Sequence, residues 1–318
     1  MTFSLRIPIY LIAPSGAVTD TNSALEGINW LSNKGFAPFH THSIERKYQR
    51  FAGTDLERVE EINSLADLIN KEKTSSIAMA VRGGYGISRI LSSIDWGSLS
   101  CAVDNGLTLV GHSDFTALSL ALLAKSGRYS LSGPMLAPDF SNLNISEFTW
   151  RSFEAAVRKK EFDFNLSHEQ NFVTSDFEIN DGILWGGNLT ILVSLLGTQF
   201  FPPPEKVGHG ILFIEDINEH PYRIERMLLQ LIESHALDNQ KAIILGSFTD
   251  YKLSENDGGY NLNNAILKFQ ESLSQAKLNI PIFTGLPFGH IRDKLTIPIG
   301  THCKFQGNSF GFKISSKW

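Results

Sequence analysis

A serine between a histidine and an aspartate, in Gly111-His112-Ser113-Asp114, sits where a short apolar run stops and a helix-like pattern begins, within the segment LTLVGHSDFTALSLALLAK. Strand, tight turn and helix in that order lift a hydroxyl clear of a sheet. The backbone N–H groups that open the helix face the same space, where they stabilise developing negative charge. An ordinary strand-to-helix turn uses the same residue types, with Ser113 or Asp114 capping the helix. The segment also departs from G-x-S-x-G at Phe115. A nucleophilic role for Ser113 therefore needs partners elsewhere in the chain.

A serine hydroxyl is a poor nucleophile at neutral pH. It needs a neutral imidazole to take its proton and a carboxylate to hold that imidazole. The chain has nine histidines, and spacing alone does not choose among them. His290 follows a strand-like run in Gly285-Leu286-Pro287-Phe288-Gly289-His290, whereas His112 adjoins the serine and, as a turn neighbour, is expected to point away from it. Among the acids, Glu215 and Asp216 end the apolar run Ile211 to Ile214, and strand alternation puts them on opposite faces. Glu219 follows in a loop and suits a helix cap; periodicity does not decide between the three.

Two further groupings are candidate sites. His40-x-His42 offers two metal ligands, but there is no H-E-x-x-H and no third ligand at a marked spacing, so no metal is expected. Arg82-Gly83-Gly84-Tyr85-Gly86 matches neither the dinucleotide fingerprint nor the P-loop, so no cofactor is expected either. Its glycines read instead as a place where backbone approaches a substrate closely, with the Gly84 N–H aimed at a reacting carbonyl.

Positioning these residues requires a scaffold, and the first half of the chain supplies alternating strands and helices. Strands are expected at Ile7 to Ala13, Ser76 to Val81 and Leu107 to Val110, and helices at Ala24 to Lys34, Leu56 to Asn70 and from the glycine-rich turn into Ile90 and Leu91. This order implies a parallel sheet covered on both faces, with ligands at the carboxyl ends of its strands. A helix is expected over Glu147 to Lys160, and beyond it strand signals dominate: Gly210 to Asp216, Lys241 to Leu245, Pro281 to Leu286, Leu295 to Ile299 and Ser309 to Ile314. A hairpin turning at Gln306-Gly307-Asn308 closes the chain. Pro221 opens one amphipathic helix whose face is Ile224, Met227, Leu228, Leu231 and Ile232. The expected class is α/β: an N-terminal parallel-sheet domain over 1–165 with a nucleophile-elbow serine, a linker over 166–174, and a β-rich α+β domain over 175–318.

At 318 residues the chain exceeds a usual single core, and 42% hydrophobic with 19% charged residues suits a compact folded protein. A net charge of −5 without a lysine or arginine block argues against nucleic acid as a partner. No stretch approaches the roughly 20 apolar residues of a membrane span, and the short run after Arg6 is bracketed by Pro8 and Pro14 without a cleavage-like site. Cys101 and Cys303 form no C-x-x-C, which fits a reducing cytoplasm.

Seven segments in order resemble one family: Ala13-Pro14-Ser15-Gly16, Arg50-Phe51-Ala52-Gly53-Thr54-Asp55, Ala80 to Gly86, Gly111 to Asp114, Gly133-Pro134-Met135-Leu136, Trp185-Gly186-Gly187-Asn188, and Ile214 to Arg223. Together they are similar to the LD-carboxypeptidases, the muramoyl-tetrapeptide carboxypeptidases, closest to the cytoplasmic type. The resemblance implies a Ser-His-Glu peptidase with Ser113 as nucleophile, His290 as base and Glu215 as acid, and with the backbone N–H groups of Gly84 and Asp114 as oxyanion donors. It implies a murein-derived peptide as substrate, cut before its terminal D-alanine, and a homodimer among the expected partners. For the substrate carboxylate, Arg82 and Arg223 are the candidate contacts, with Gly83, Trp185 and Asn188 lining the cleft. The rival within the family is its microcin-immunity branch, which cleaves a peptide-nucleotide. Rivals of other classes are a non-catalytic binding protein of the same fold and, more remotely, an NAD-dependent oxidoreductase.

Overall fold

The computed structural model describes residues 6–141, 145–167 and 176–318, so most of the expected 166–174 linker lies outside the described residues. Strands β1 (Ile7–Ile12), β2 (Phe36–Phe39), β3 (Ser76–Ala80), β4 (Leu107–Gly111) and β5 (Ser130–Ser132) run parallel in the order β2-β1-β3-β4-β5. Apolar residues occupy both faces of these strands, as a sheet covered on both sides requires. Ile9 and Leu11 of β1 pack with α1 (Thr21–Asn33), while Tyr10 and Ile12 belong to the core shared with α2 (Asp55–Glu72), α3 (Trp96–Asp104) and α4 (Thr116–Ser126). The short helix α5 (Leu136–Asp139) and α6 (Glu147–Glu154) complete the α1 side through Leu136, Trp150 and Phe153.

The second sheet is built from β6 (Glu161–Ser167), β7 (Phe177–Asn188), β8 (Ile211–Ile217), β9 (Ala242–Thr249) and β10 (Ile282–Phe283), completed by two later strands, β12 (Thr301–Asn308) and β13 (Gly311–Lys317). Its order is β10-β9-β8-β7-β12-β13-β6, parallel from β10 to β7 and antiparallel beyond. Between its strands lie α7 (Leu189–Ser194), α8 (Pro204–Val207), α9 (Pro221–Glu233) and α10 (Leu262–Gln275). Helix α9 starts at Pro221, and Ile224, Met227, Leu228, Leu231 and Ile232 are buried along one face.

Several elements differ from the sequence expectation. β6 belongs to the second sheet, so the chain leaves the first domain before Glu161; pairing with β13 claims this strand across a long sequence separation. The run near Leu295 to Ile299 supplies β11 (Ile297–Ile299), which crosses back and pairs antiparallel with β5 in the first sheet. The two domains are thus interleaved at their seam. After Gly86 the chain forms two 3-10 turns, Ile87–Arg89 and Leu91–Ser93, instead of a helix. The terminal hairpin turns at Ser309-Phe310, because β12 continues through Asn308.

Candidate active site

The last residue of β4, Gly111, has no room for a side chain. A Cβ there would lie 2.7 Å from Phe115 Cγ and 2.8 Å from Ala80 Cβ. His112 is still extended, and Ser113 then takes φ +62°, the left-handed region that a non-glycine residue occupies at a strain. The 3-10 turn Ser113–Phe115 leads directly into α4, so the positive end of the helix faces the space around the serine. The neighbouring Asp114 is buried, and its Oδ2 accepts from the Ser15 hydroxyl at 2.7 Å and the Ile87 N–H at 3.1 Å. Burial raises the Asp114 carboxyl above its usual range. That side chain therefore ties the loop after β1 and the glycine-rich loop after β3 to the serine turn.

The glycine-rich loop touches the serine itself. A Cβ on Gly83 would fall 2.8 Å from Ser113 Cβ and 2.9 Å from its Oγ, and Gly84 follows at φ +116°. Arg82 turns aside to donate from Nη1 to the Ala17 carbonyl at 2.8 Å. These groups, with His112, Met135, Asp139, His290 and Lys294, line a cavity of 860 Å³ between the domains. Ser113 and His290 therefore face one cavity although 177 positions separate them in sequence.

His290 Nδ1 lies 2.9 Å from Glu215 Oε2. A carboxylate accepts, so Nδ1 carries the proton and the Nε2 lone pair is left on the opposite edge of the ring, the tautomer a general base requires. Glu215 itself has no exposed surface, whereas the side chain of His290 retains 17% exposure. Glycines make room for this pair. A Cβ on Gly289 would lie 3.1 Å from Glu215 Oε2, and one on Gly246 would lie 2.6 Å from the Phe288 carbonyl.

Asn188 holds the acid, a role that no spacing in the sequence revealed. Its Nδ2 donates to Glu215 Oε1 at 3.2 Å and to Asp216 Oδ1 at 3.0 Å, while its Oδ1 caps α7 by accepting from the Ile191 N–H at 3.1 Å. Asn188 is thus a buried brace for Glu215, and it is not a wall of the cavity. Asp216 departs from the expected alternation, since the β8 register is irregular between Ile214 and Asp216 and both carboxylates reach the one Asn188 amide; it accepts from Thr190 N–H and Oγ1, both at 2.8 Å, and burial raises its carboxyl above the usual range. Glu219 pairs loosely with Arg223 at 3.7 Å.

Two expected cleft residues lie elsewhere. Trp185 is fully buried, donating Nε1–H to Gln240 Oε1 at 2.8 Å and meeting Phe201 edge-on, because its bulk fills the core behind β7. Arg223 is half exposed on the first turn of α9, over the Tyr222 ring and outside the cavity walls. His112 is buried beside His290. Its Nδ1 meets the Gly133 carbonyl at 2.9 Å, its Nε2 meets Lys294 Nζ at 3.4 Å, and its ring packs edge-on against His290 with centroids 5.2 Å apart. Burial first, then Lys294 and His290, push its pKa well below the ordinary histidine value. His112 is therefore a neutral wall for His290. Among the described residues no group of three or more His, Cys, Asp and Glu is placed to hold a metal ion, and His40 and His42 meet ring to ring at 6.0 Å. No described helix is long and apolar enough to cross a membrane.

A serine at a strand-to-helix turn, a histidine paired with a buried carboxylate and two interleaved domains are the arrangement of a two-domain α/β serine peptidase. Models of the LD-carboxypeptidase N-terminal domain and of the LD-carboxypeptidase C-terminal domain match residues 9–133 and 181–305. The chain belongs to the LD-carboxypeptidase family. A muramoyltetrapeptide carboxypeptidase from Oxalobacter formigenes has a similar structure, with a TM-score of 0.83 and 37% identity over 98% of this chain and 99% of that one. The murein tetrapeptide carboxypeptidase of Pseudomonas aeruginosa is 28% identical, covering 94% of this chain and 93% of the relative. The microcin C7 self-immunity protein MccF of Escherichia coli is 25% identical, covering 95% and 90%.

Proposed function

We propose that this protein is an L,D-carboxypeptidase that hydrolyses the bond between the diamino acid and the terminal D-alanine of murein tetrapeptide, in cell-wall recycling in the cytoplasm. The observation that carries the reading is the 2.9 Å contact between His290 Nδ1 and Glu215 Oε2 at the wall of the cavity that also holds Ser113 in its left-handed turn. The 37% identical structural relative, named for its action on muramoyltetrapeptide, supports the substrate class.

His290 Nε2 takes the Ser113 proton as the hydroxyl attacks the scissile carbonyl, and Glu215 stabilises the imidazolium. The backbone N–H groups of Gly84 and Asp114 receive the oxyanion, helped by the positive end of α4. Imidazolium then protonates the departing D-alanine nitrogen, and water repeats the sequence on the acyl-enzyme. Arg82, the half-buried cation beside Gly83 on the cavity wall, is the candidate contact for a substrate carboxylate. Incubation of the protein and of Ser113→Ala with a tetrapeptide ending in D-alanine, read by mass spectrometry, tests this function. Loss of one alanine by the unaltered protein alone supports it, whereas cleavage of a peptide-nucleotide and not of the tetrapeptide assigns the chain to the microcin-immunity branch.

A further inference from the structure

His290 lies on a segment between the two domains, and a hydroxyl of the first domain bonds that segment at two backbone groups. Thr149, buried in the first turn of α6, donates from Oγ1 to the Arg292 carbonyl at 2.9 Å and accepts from the Lys294 N–H at 2.9 Å. One side chain thus satisfies two backbone groups of the stretch that begins at His290. Two neighbouring contacts anchor the same stretch: Ser152 Oγ accepts from the Thr296 N–H at 2.8 Å, and Lys294 Nζ pairs with Asp139 Oδ1 at 2.6 Å with both side chains buried. Beyond Thr296, β11 locks into the first sheet. Glu215, by contrast, holds the imidazole from the second sheet.

We infer that Thr149 is a positioning residue for the base: its hydroxyl staples the His290–Lys294 loop to the domain that carries Ser113, setting the approach of His290 Nε2 to the serine while Glu215 sets the orientation of the ring. The inference rests on the assignment of Ser113 and His290 as nucleophile and base. It goes beyond that assignment because Thr149 touches neither of them. A small displacement of a reacting group costs large factors in rate without weakening substrate binding. A hydroxyl is needed here and not merely volume, since valine of the same shape takes away the acceptor of the buried Lys294 N–H and the donor to the Arg292 carbonyl.

The test compares Thr149→Val and Thr149→Ser by two readouts: kcat and KM on murein tetrapeptide, and the rate at which a fluorophosphonate labels Ser113. Labelling requires an activated serine but no particular peptide, so it reads the staple even where the tetrapeptide is not the substrate. Thr149→Val is expected to lower kcat and the labelling rate together by about tenfold to a hundredfold with KM within about twofold. Thr149→Ser, which restores the hydroxyl, is expected within about threefold of the unaltered protein. A folded Thr149→Val protein with unchanged labelling overturns the inference, as does a Thr149→Ser protein impaired as severely as valine. Should Thr149→Val fail to fold, Ser152→Ala, which removes the adjacent bond to the Thr296 N–H, takes its place. A fall in labelling of about threefold, with a thermal midpoint lowered by only a few degrees, is then expected, and unchanged labelling overturns the inference.

Discussion

Glu215 from β8 and His290 from the loop ahead of β11 meet at 2.9 Å, although 75 positions separate them, and the acid is wholly buried behind the ring it holds. The contact fixes a proton on Nδ1 and so leaves Nε2 as the acceptor. Glu215→Gln presents an amide that donates as well as accepts, which favours the other tautomer. Turnover of the tetrapeptide is expected to fall by about 10⁴-fold with KM little changed, as when the equivalent acid of another serine triad becomes an amide. Steady-state kinetics on the purified variant checks this; a fall of less than tenfold contradicts the role of Glu215.

Gly83→Ala probes the approach of the glycine-rich loop to the nucleophile. The added methyl would sit 2.8 Å from Ser113 Cβ, so either the loop or the serine must shift. Because both proposed oxyanion donors flank this contact, turnover is expected to fall by about a hundredfold or more. Circular dichroism should remain that of the folded protein, and unchanged kcat would show that the loop has freedom the packing denies it.

Asn188 should matter to stability and rate together. Asn188→Ala removes the N-cap of α7 and leaves lone pairs of two buried carboxylates without their donor. A loss of about 1–3 kcal/mol in urea unfolding is expected, with a fall in kcat of about tenfold as Glu215 loosens. Asn188→Asp should be worse than alanine, because it adds a third carboxyl to a buried pair.

The strand–turn–helix that carries Ser113, the parallel first sheet and the amphipathic α9 were legible in the sequence because local chemistry dictates them: an apolar run cut by Gly111, alternation of strands with helices, and Pro221 opening a regular apolar stripe. The resemblance carried the choice of Glu215 and His290, which periodicity alone left open among three acids and nine histidines. What escaped was non-local. β6 takes its place from pairing with β13, and β11 from pairing with β5, so neither allegiance is written in the strand itself. The resemblance made Trp185 a cleft residue, but it packs inside, and the glycines after it serve close packing of β7 on its surroundings: a Cβ on Gly187 would meet Thr116 Oγ1 at 2.6 Å. Asn188 was singled out by the resemblance only as a cleft residue, and Thr149 and Lys294 gave no signal, since an asparagine brace, a hydroxyl staple and a buried lysine depend on residues far away in the chain.

His112 predicts a particular acid sensitivity. Its pKa is depressed in the folded protein, chiefly by burial, so the unfolded chain binds a proton more readily. Its contribution to stability is present above the unfolded value near 6.5 and is lost as pH falls below it, with a limiting slope of about 1.4 kcal/mol per pH unit. Urea unfolding from pH 7.5 to 5 should show this slope in the unaltered protein and a shallower one in His112→Gln. Equal slopes would mean that His112 is not held neutral.

The central claim is tested most directly by mass spectrometry of a murein tetrapeptide ending in D-alanine, with its L-alanine counterpart as control, before and after incubation with the protein and with Ser113→Ala. Loss of one alanine from the D-terminated peptide alone, abolished in Ser113→Ala, is the predicted result. An intact D-terminated peptide, or equal cleavage by Ser113→Ala, would contradict it.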